Sequence, residues 1–217
     1  MKPRIIYAIV AVIIIVISIF GVRQYLENQR YESYLSMQIA NDVSRLTSAI
    51  RVNQTIYDEL LNSSSLSQEQ VETLFHNNYS IVNIAQEHKN LVSQFNRSDQ
   101  DLDNIPANKA SDIAYYFKGL IWDIAERQGI YVANKTTQFP IELSKSESYS
   151  IKDKELEKIE IIKKMNDIWL QAIANNVEGV LVEGKMNSDI FFDTYVEKGI
   201  TSHYWVNVAL EMEKKTE

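Results

Sequence analysis

From Ile5 to Val22 the chain is apolar without interruption, and from Leu35 onward apolar residues recur at alternating spacings of three and four. The first pattern predicts a membrane helix. An uncharged run of this length covers about 27 Å at ~1.5 Å per residue, close to the hydrocarbon thickness of a bilayer. Ile5, Tyr7, Phe20, Val22 and Tyr25 are its candidate anchor residues, with the two tyrosine rings near the ends where headgroups lie and Arg4 and Arg23 as bracketing cations. A cleaved signal peptide has a shorter apolar stretch, about 7–15 residues, followed by a small-x-small site. Neither feature fits, so the run reads as an uncleaved signal-anchor in contact with membrane lipid through residues 5–22, behind a short tip at 1–4.

The second pattern predicts helices packed on one another. Leu35, Ile39, Val43, Leu46, Ile50, Asn53, Tyr57 and Leu60 form one seam, broken only by Asn53. After a turn at 62–66, Ser67-Gln68-Glu69-Gln70 has the form of a capping box. A second seam follows at Val71, Leu74, Asn78, Ile81, Ala85, His88, Val92 and Phe95. With about five residues between them, these two helices must be antiparallel neighbours. The polar stretch Arg97 to Ile105 leads to a third helix, whose face of Ala110, Ile113, Ala114, Phe117, Leu120, Ile121 and Ile124 is wide enough to touch two neighbours. Residues 134–150 read as a long connection, and Lys152 to Val177 as a fourth helix with Leu156, Ile159, Ile162, Met165, Trp169, Ala172 and Ile173 inside.

The tail differs. Gly179, Gly184 and Gly199 are half of the six glycines, and Phe191, Phe192, Tyr195, Tyr204 and Trp205 gather aromatic side chains there. Residues 179–184 suit a short strand or irregular loop, Ser188 a cap for a short helix ended by Gly199, and 202–213 a last helix. The expected fold is therefore all-α: an N-terminal transmembrane helix, then an antiparallel, four-helix-like bundle including a juxtamembrane helix (23–177), then a short irregular and helical C-terminal subdomain (178–217) packed on it.

Composition sharpens this reading. Six Gly and three Pro in 217 residues are too few to punctuate a many-stranded sandwich or barrel. The absence of Cys removes disulfides, thiolate nucleophiles and thiolate metal sites. Residues 1–33 hold four of the 22 Lys and Arg and two of the 29 Asp and Glu, so the remainder carries a formal charge of −9. That acidity argues against nucleic acid as a partner and against lying flat on an anionic lipid surface. Lys2 and Arg4 are matched by Arg23 and Arg30 across the apolar run, so orientation rests on the signal-anchor layout, which puts the N-terminus in the cytoplasm and the bundle outside the cell membrane.

Candidate chemistry is sparse. No GxGxxG, P-loop, GxSxG, HExxH or EF-hand spacing occurs, so no catalytic residue, cofactor site or metal site is assigned. His76 and His88 are 12 residues apart on one helix, about 18 Å along its axis, and cannot share a metal within a chain. Asp189, Asp193 and Glu197 form a carboxylate stripe of the kind found on exposed helix faces. Five Asn-x-Ser/Thr sites, at Asn53, Asn62, Asn78, Asn96 and Asn134, read as compositional, since two fall on core seams where no glycan fits.

Two features remain. Asn53, Asn78 and His88 are polar groups on predicted seams and are either hydrogen-bonded core residues or a polar pocket between helices. Phe192, Tyr195, Tyr204 and Trp205 either pack the tail down or form a partner patch. The plan of short tip, single anchor and long antiparallel bundle is similar to the ligand-binding domains of bacterial chemoreceptors and to LemA-type membrane proteins, a likeness of architecture that rests on no motif. The expectation is a non-enzymatic, membrane-anchored interaction or scaffold module with a protein partner or self-association. The alternative is a sensory, small-ligand-binding ectodomain.

Overall fold

The computed structural model describes residues 3–127, 129, 148–180, 188–196 and 199–216. They form six helices and two short strands: α1 (Pro3–Ser63), β1 (Ser65–Ser67), α2 (Gln68–Gln94), α3 (Ile105–Arg127), β2 (Ser148–Ser150), α4 (Asp153–Asn176), α5 (Ser188–Tyr195) and α6 (Tyr204–Thr216). The all-helical expectation holds. The largest departure is that the anchor and the first bundle helix are one helix of 61 residues. Nothing between Val22 and Leu35 stops a helix: the segment holds no Gly or Pro, and Arg23 Nε meets Glu27 Oε1 at 3.2 Å, one turn apart.

Along α1 the surroundings change in three stages. From Ile9 to Val22 the apolar stretch is exposed on every side, with Phe20 at 67% and Val22 at 60%, and this helix is long and apolar enough to cross a membrane. Residues 23–34 continue as a single exposed helix, a stalk of about 18 Å. From Ser36 onward one face is covered, and the seam residues Ile39, Val43, Leu46, Ile50, Asn53, Tyr57 and Leu60 are all buried. Each fully buried Leu or Ile contributes about 1.5–3 kcal/mol relative to exposure, so this seam is what fixes α1 to the other helices.

The direction of each helix follows from its cross-contacts. On α2, Gln70 Nε2 reaches Glu59 Oε2 at 2.9 Å and Gln38 reaches Glu87, which makes α1 and α2 antiparallel. The capping box forms as the sequence predicts, with Ser67 Oγ accepting from the Gln70 N–H at 3.2 Å and Gln70 Oε1 accepting from the Ser67 N–H at 2.9 Å. On α4, Lys163 lies 3.5 Å from Asp58 while Asn166 reaches Ile50 and Gln54, so α4 is antiparallel to α1 on its other side. The α3 helix packs on α2 and reaches the start of α4, where Lys158 Nζ sits 4.1 Å above the Tyr116 ring and Arg127 meets Glu155 at 3.5 Å. On the remaining flank α6 runs antiparallel to α4, with Trp169 Nε1 donating to Thr216 Oγ1 and Asn175 to Glu211.

Two details refine the expected boundaries. The 62–66 turn and the end of the 134–150 connection form a small antiparallel sheet, Ser65 opposite Ser150 and Leu66 opposite Tyr149. Ser64 is left-handed at φ 52°, and Leu66 and Tyr149 both point inward, so the pairing plugs this end of the core. On α2, Ile84 is buried while Phe95, the last expected seam residue, is 45% exposed, because the helix ends there and Asn96 turns the chain at φ 50°. Residues 134–147, Gly184 and Glu197 lie outside the described residues.

Gly199 has a defined job. A Cβ built on it would stand 2.7 Å from the Ser36 carbonyl oxygen and 2.9 Å from that of Tyr195. The close approach lets Ser36 Oγ accept from the Ile200 N–H at 3.0 Å and seats the tail where α1 leaves the core.

Candidate functional site

The three seam polar groups do not converge. Asn53 Oδ1 accepts from Asn77 Nδ2 at 3.0 Å, and Asn78 Nδ2 donates to the Leu74 carbonyl at 2.8 Å, so each asparagine has a partner within or next to the helix seam. Burial dominates in raising the Tyr57 phenol well above its ordinary pKa, with Asn78 acting in the opposite sense. His88 is ten residues further along α2, about 15 Å down the axis. All three are buried, as hydrogen-bonded or enclosed core residues are, and the expected polar pocket is not formed from them.

His88 sits instead against α6, its ring 5.5 Å from that of Trp205 and inclined by 65°. Next to it is a cavity of about 20 Å³, bordered by Leu46, Leu102, Pro106, Val208 and Met212. That volume corresponds to roughly one water molecule and is far below the ~300 Å³ at which ligand pockets begin. Burial holds the imidazole neutral, lowering its pKa to about 4.

The aromatic tail is likewise internal. Trp205 is fully buried, Tyr204 and Tyr195 are 5% and 8% exposed and stack at 3.9 Å, and Phe192 is half-buried. Of the two arrangements the sequence left open for Phe192, Tyr195, Tyr204 and Trp205, the packed one is present: with Phe191 they lie against the helical body and offer no exposed face. On α6 these rings share the buried face with Val206, Val208 and Met212, so the helix covers its neighbours with one continuous apolar side. Asp189 and Asp193 are exposed on α5.

An aromatic face does exist, on α2 and α3. Phe75 stacks on Tyr79 at 5.7 Å, meets Tyr115 edge-on at 6.1 Å and His76 edge-on at 5.6 Å, and carries Lys118 Nζ 5.6 Å from its ring centre. Tyr79 and Tyr115 are 43% and 55% exposed and His76 is exposed. Half-exposed rings that cluster from two helices form the kind of amphipathic surface that partners cover, with the Tyr79 and Tyr115 hydroxyls beside the partly buried Phe75 ring. The seam pattern does not reveal it, because Phe75 and Tyr79 fall off the seam. The available signal was their own i, i+4 spacing on the outer side of α2, with Tyr115 opposite.

The acidic end of the helical body is different again. Asp42 and Glu87 face each other across the α1–α2 junction near the stalk, and burial followed by the Glu87 charge raises the Asp42 carboxyl above the usual carboxylate range. Among the described residues no three His, Cys, Asp or Glu side chains are grouped so as to hold a metal ion.

Comparison with known proteins adds no identity: no family model matches the chain, and no curated protein and no solved structure matches it.

Proposed function

We propose that this chain is a single-pass, membrane-anchored interaction module that displays its α2–α3 aromatic face to a protein partner outside the cell membrane, with the N-terminus in the cytoplasm. The continuity of α1 carries the reading. Asn77 pairs with Asn53, so Phe75 and Tyr79 lie at the level of residues 51–55 of α1, about 45–50 Å from Val22 along one unbroken helix. A rigid spacer with an aromatic cluster at its far end suits presentation rather than turnover. The −9 charge beyond residue 33 supports it too, because such a body is repelled from anionic lipid and stands away from the bilayer.

The test is photo-crosslinking in intact membranes with the reactive residue at Tyr115 and, as control, at Ile161, a 62% exposed position on α4. A reproducible, stoichiometric protein adduct at 115, absent at 161 and lost in Tyr79→Ser with an unchanged melting temperature, supports docking. Equal capture at both positions, or none, refutes it.

A further inference from the structure

The outer surface that α1 and α2 share is short of charge. From Thr73 to Gln86 the α2 sequence holds no Asp, Glu, Lys or Arg, and beside it α1 exposes Ser48, Val52 and Thr55, the valine at 41%. The two helices meet along this stretch, where Asn77 Nδ2 donates to Asn53 Oδ1 at 3.0 Å. Elsewhere the body turns its charges outward: α4 alone exposes Lys154, Glu157, Lys158, Glu160 and Lys164. Depletion of charge, more than bulk apolarity, marks a surface that another protein covers.

Toward the stalk this uncharged area ends at one charge of each sign. Arg45 on α1, its side chain 64% exposed, and the half-buried Glu87 on α2 border the same cleft between the helices and so stand near one height. Within the chain Arg45 has Asp42 at 3.4 Å, an exposed pair of little strength, and Glu87 accepts from Gln38. A two-fold axis parallel to α1 lays the α1 of one copy against the α2 of another, with Arg45 opposite the other copy's Glu87 and Glu87 opposite its Arg45. Copies that each carry −9 beyond residue 33 repel across most of their surfaces, and they can meet where like charges are absent and one pair is complementary. We propose that the α1–α2 face binds a second copy of this chain, side by side in the same membrane, in a parallel dimer whose register is fixed by two reciprocal Arg45–Glu87 pairs. The parallel direction rests on the anchored reading of α1, whereas the face itself is separate from the Tyr115 side of α2.

Charge exchange between copies tests it. Two differently tagged full chains are co-expressed at low level, the membrane fraction is taken up in native-lipid nanodiscs, and particles holding both tags are counted. The parent chains are expected to share particles. Arg45→Glu with itself, and Glu87→Lys with itself, should each lower that share about tenfold, because both cross pairs become pairs of like charge. Arg45→Glu with Glu87→Lys makes both cross pairs opposite in sign again and should recover the parent share, which no change within one chain's own fold can do. Lys164→Glu, a reversal of the same kind on exposed α4, should leave the share unaltered. Absence of mixed particles for the parent, an equal loss with Lys164→Glu, or no recovery in the mixed pair overturns the proposal. Chain recovered outside the membrane fraction refutes the anchored reading and this dimer together, while membrane-bound chain without mixed particles refutes the dimer alone.

Discussion

Replacing His88 with Leu should flatten the acid side of the stability curve. The imidazole is enclosed between α2 and α6 and titrates at about 4 in the folded chain against an ordinary value of 6.5. A lowered folded pKa means that the unfolded chain binds the proton first, so stability is complete above about pH 6.5 and is lost as the pH falls toward 4. At pH 5 the unfolded histidine is almost fully protonated and the folded one almost fully neutral, a difference of about 1.5 units, or about 2 kcal/mol at ~1.36 kcal/mol per unit. Asp42 acts in the opposite sense, because its raised pKa lets the folded state take a proton first and so gain stability on acidification. Comparing His88→Leu with the parent chain cancels that contribution. In denaturant unfolding followed by tryptophan fluorescence, the variant should lose about 2 kcal/mol less than the parent between pH 7.5 and pH 5, about 4–8 °C in melting temperature for a body of this size. Parallel curves over that range would show that the folded imidazole protonates freely and would refute the reasoning.

Two substitutions probe other joints. Gly199→Ala must push the Ser36 and Tyr195 carbonyls apart, since its Cβ would meet them at 2.7 and 2.9 Å, and should cost about 1–3 kcal/mol by equilibrium unfolding. Asn166→Ala removes donation to the Ile50 carbonyl at 3.0 Å and to Gln54 at 2.8 Å, leaving a buried α1 carbonyl short of a partner, and should lower stability by about 1–3 kcal/mol by the same assay.

The seams of α1, α3 and α4 were legible because each position obeys the helical period, and Ser67–Gln70 was legible because a capping box is a local motif. Asn166 and Trp122 escaped, both buried, because each lies beside its seam and faces a neighbour that only the packing supplies. The unbroken α1 escaped for another reason. A change from apolar to amphipathic pattern looks like a boundary, yet what ends a helix is a Gly, a Pro or a competing cap, and none stands between 22 and 35. For the site, type was easier to read than place. Asn53, Asn78 and His88 are buried polar residues, but whether such groups meet depends on their heights along α2. The aromatic tail fits packing and docking equally in sequence, and only the amount of uncovered helix surface decides between them.

A spacer that holds the helical body away from a bilayer requires α1 to be one rigid helix, and the chain's lack of cysteine makes that measurable without background labelling. Nitroxide labels at Gln24→Cys and Thr55→Cys, both exposed positions, should report in lipid nanodiscs a single narrow distance near 46 Å, the axial length of 31 residues of helix. A broad distribution reaching well below that value would place a hinge in residues 23–34 and contradict the account.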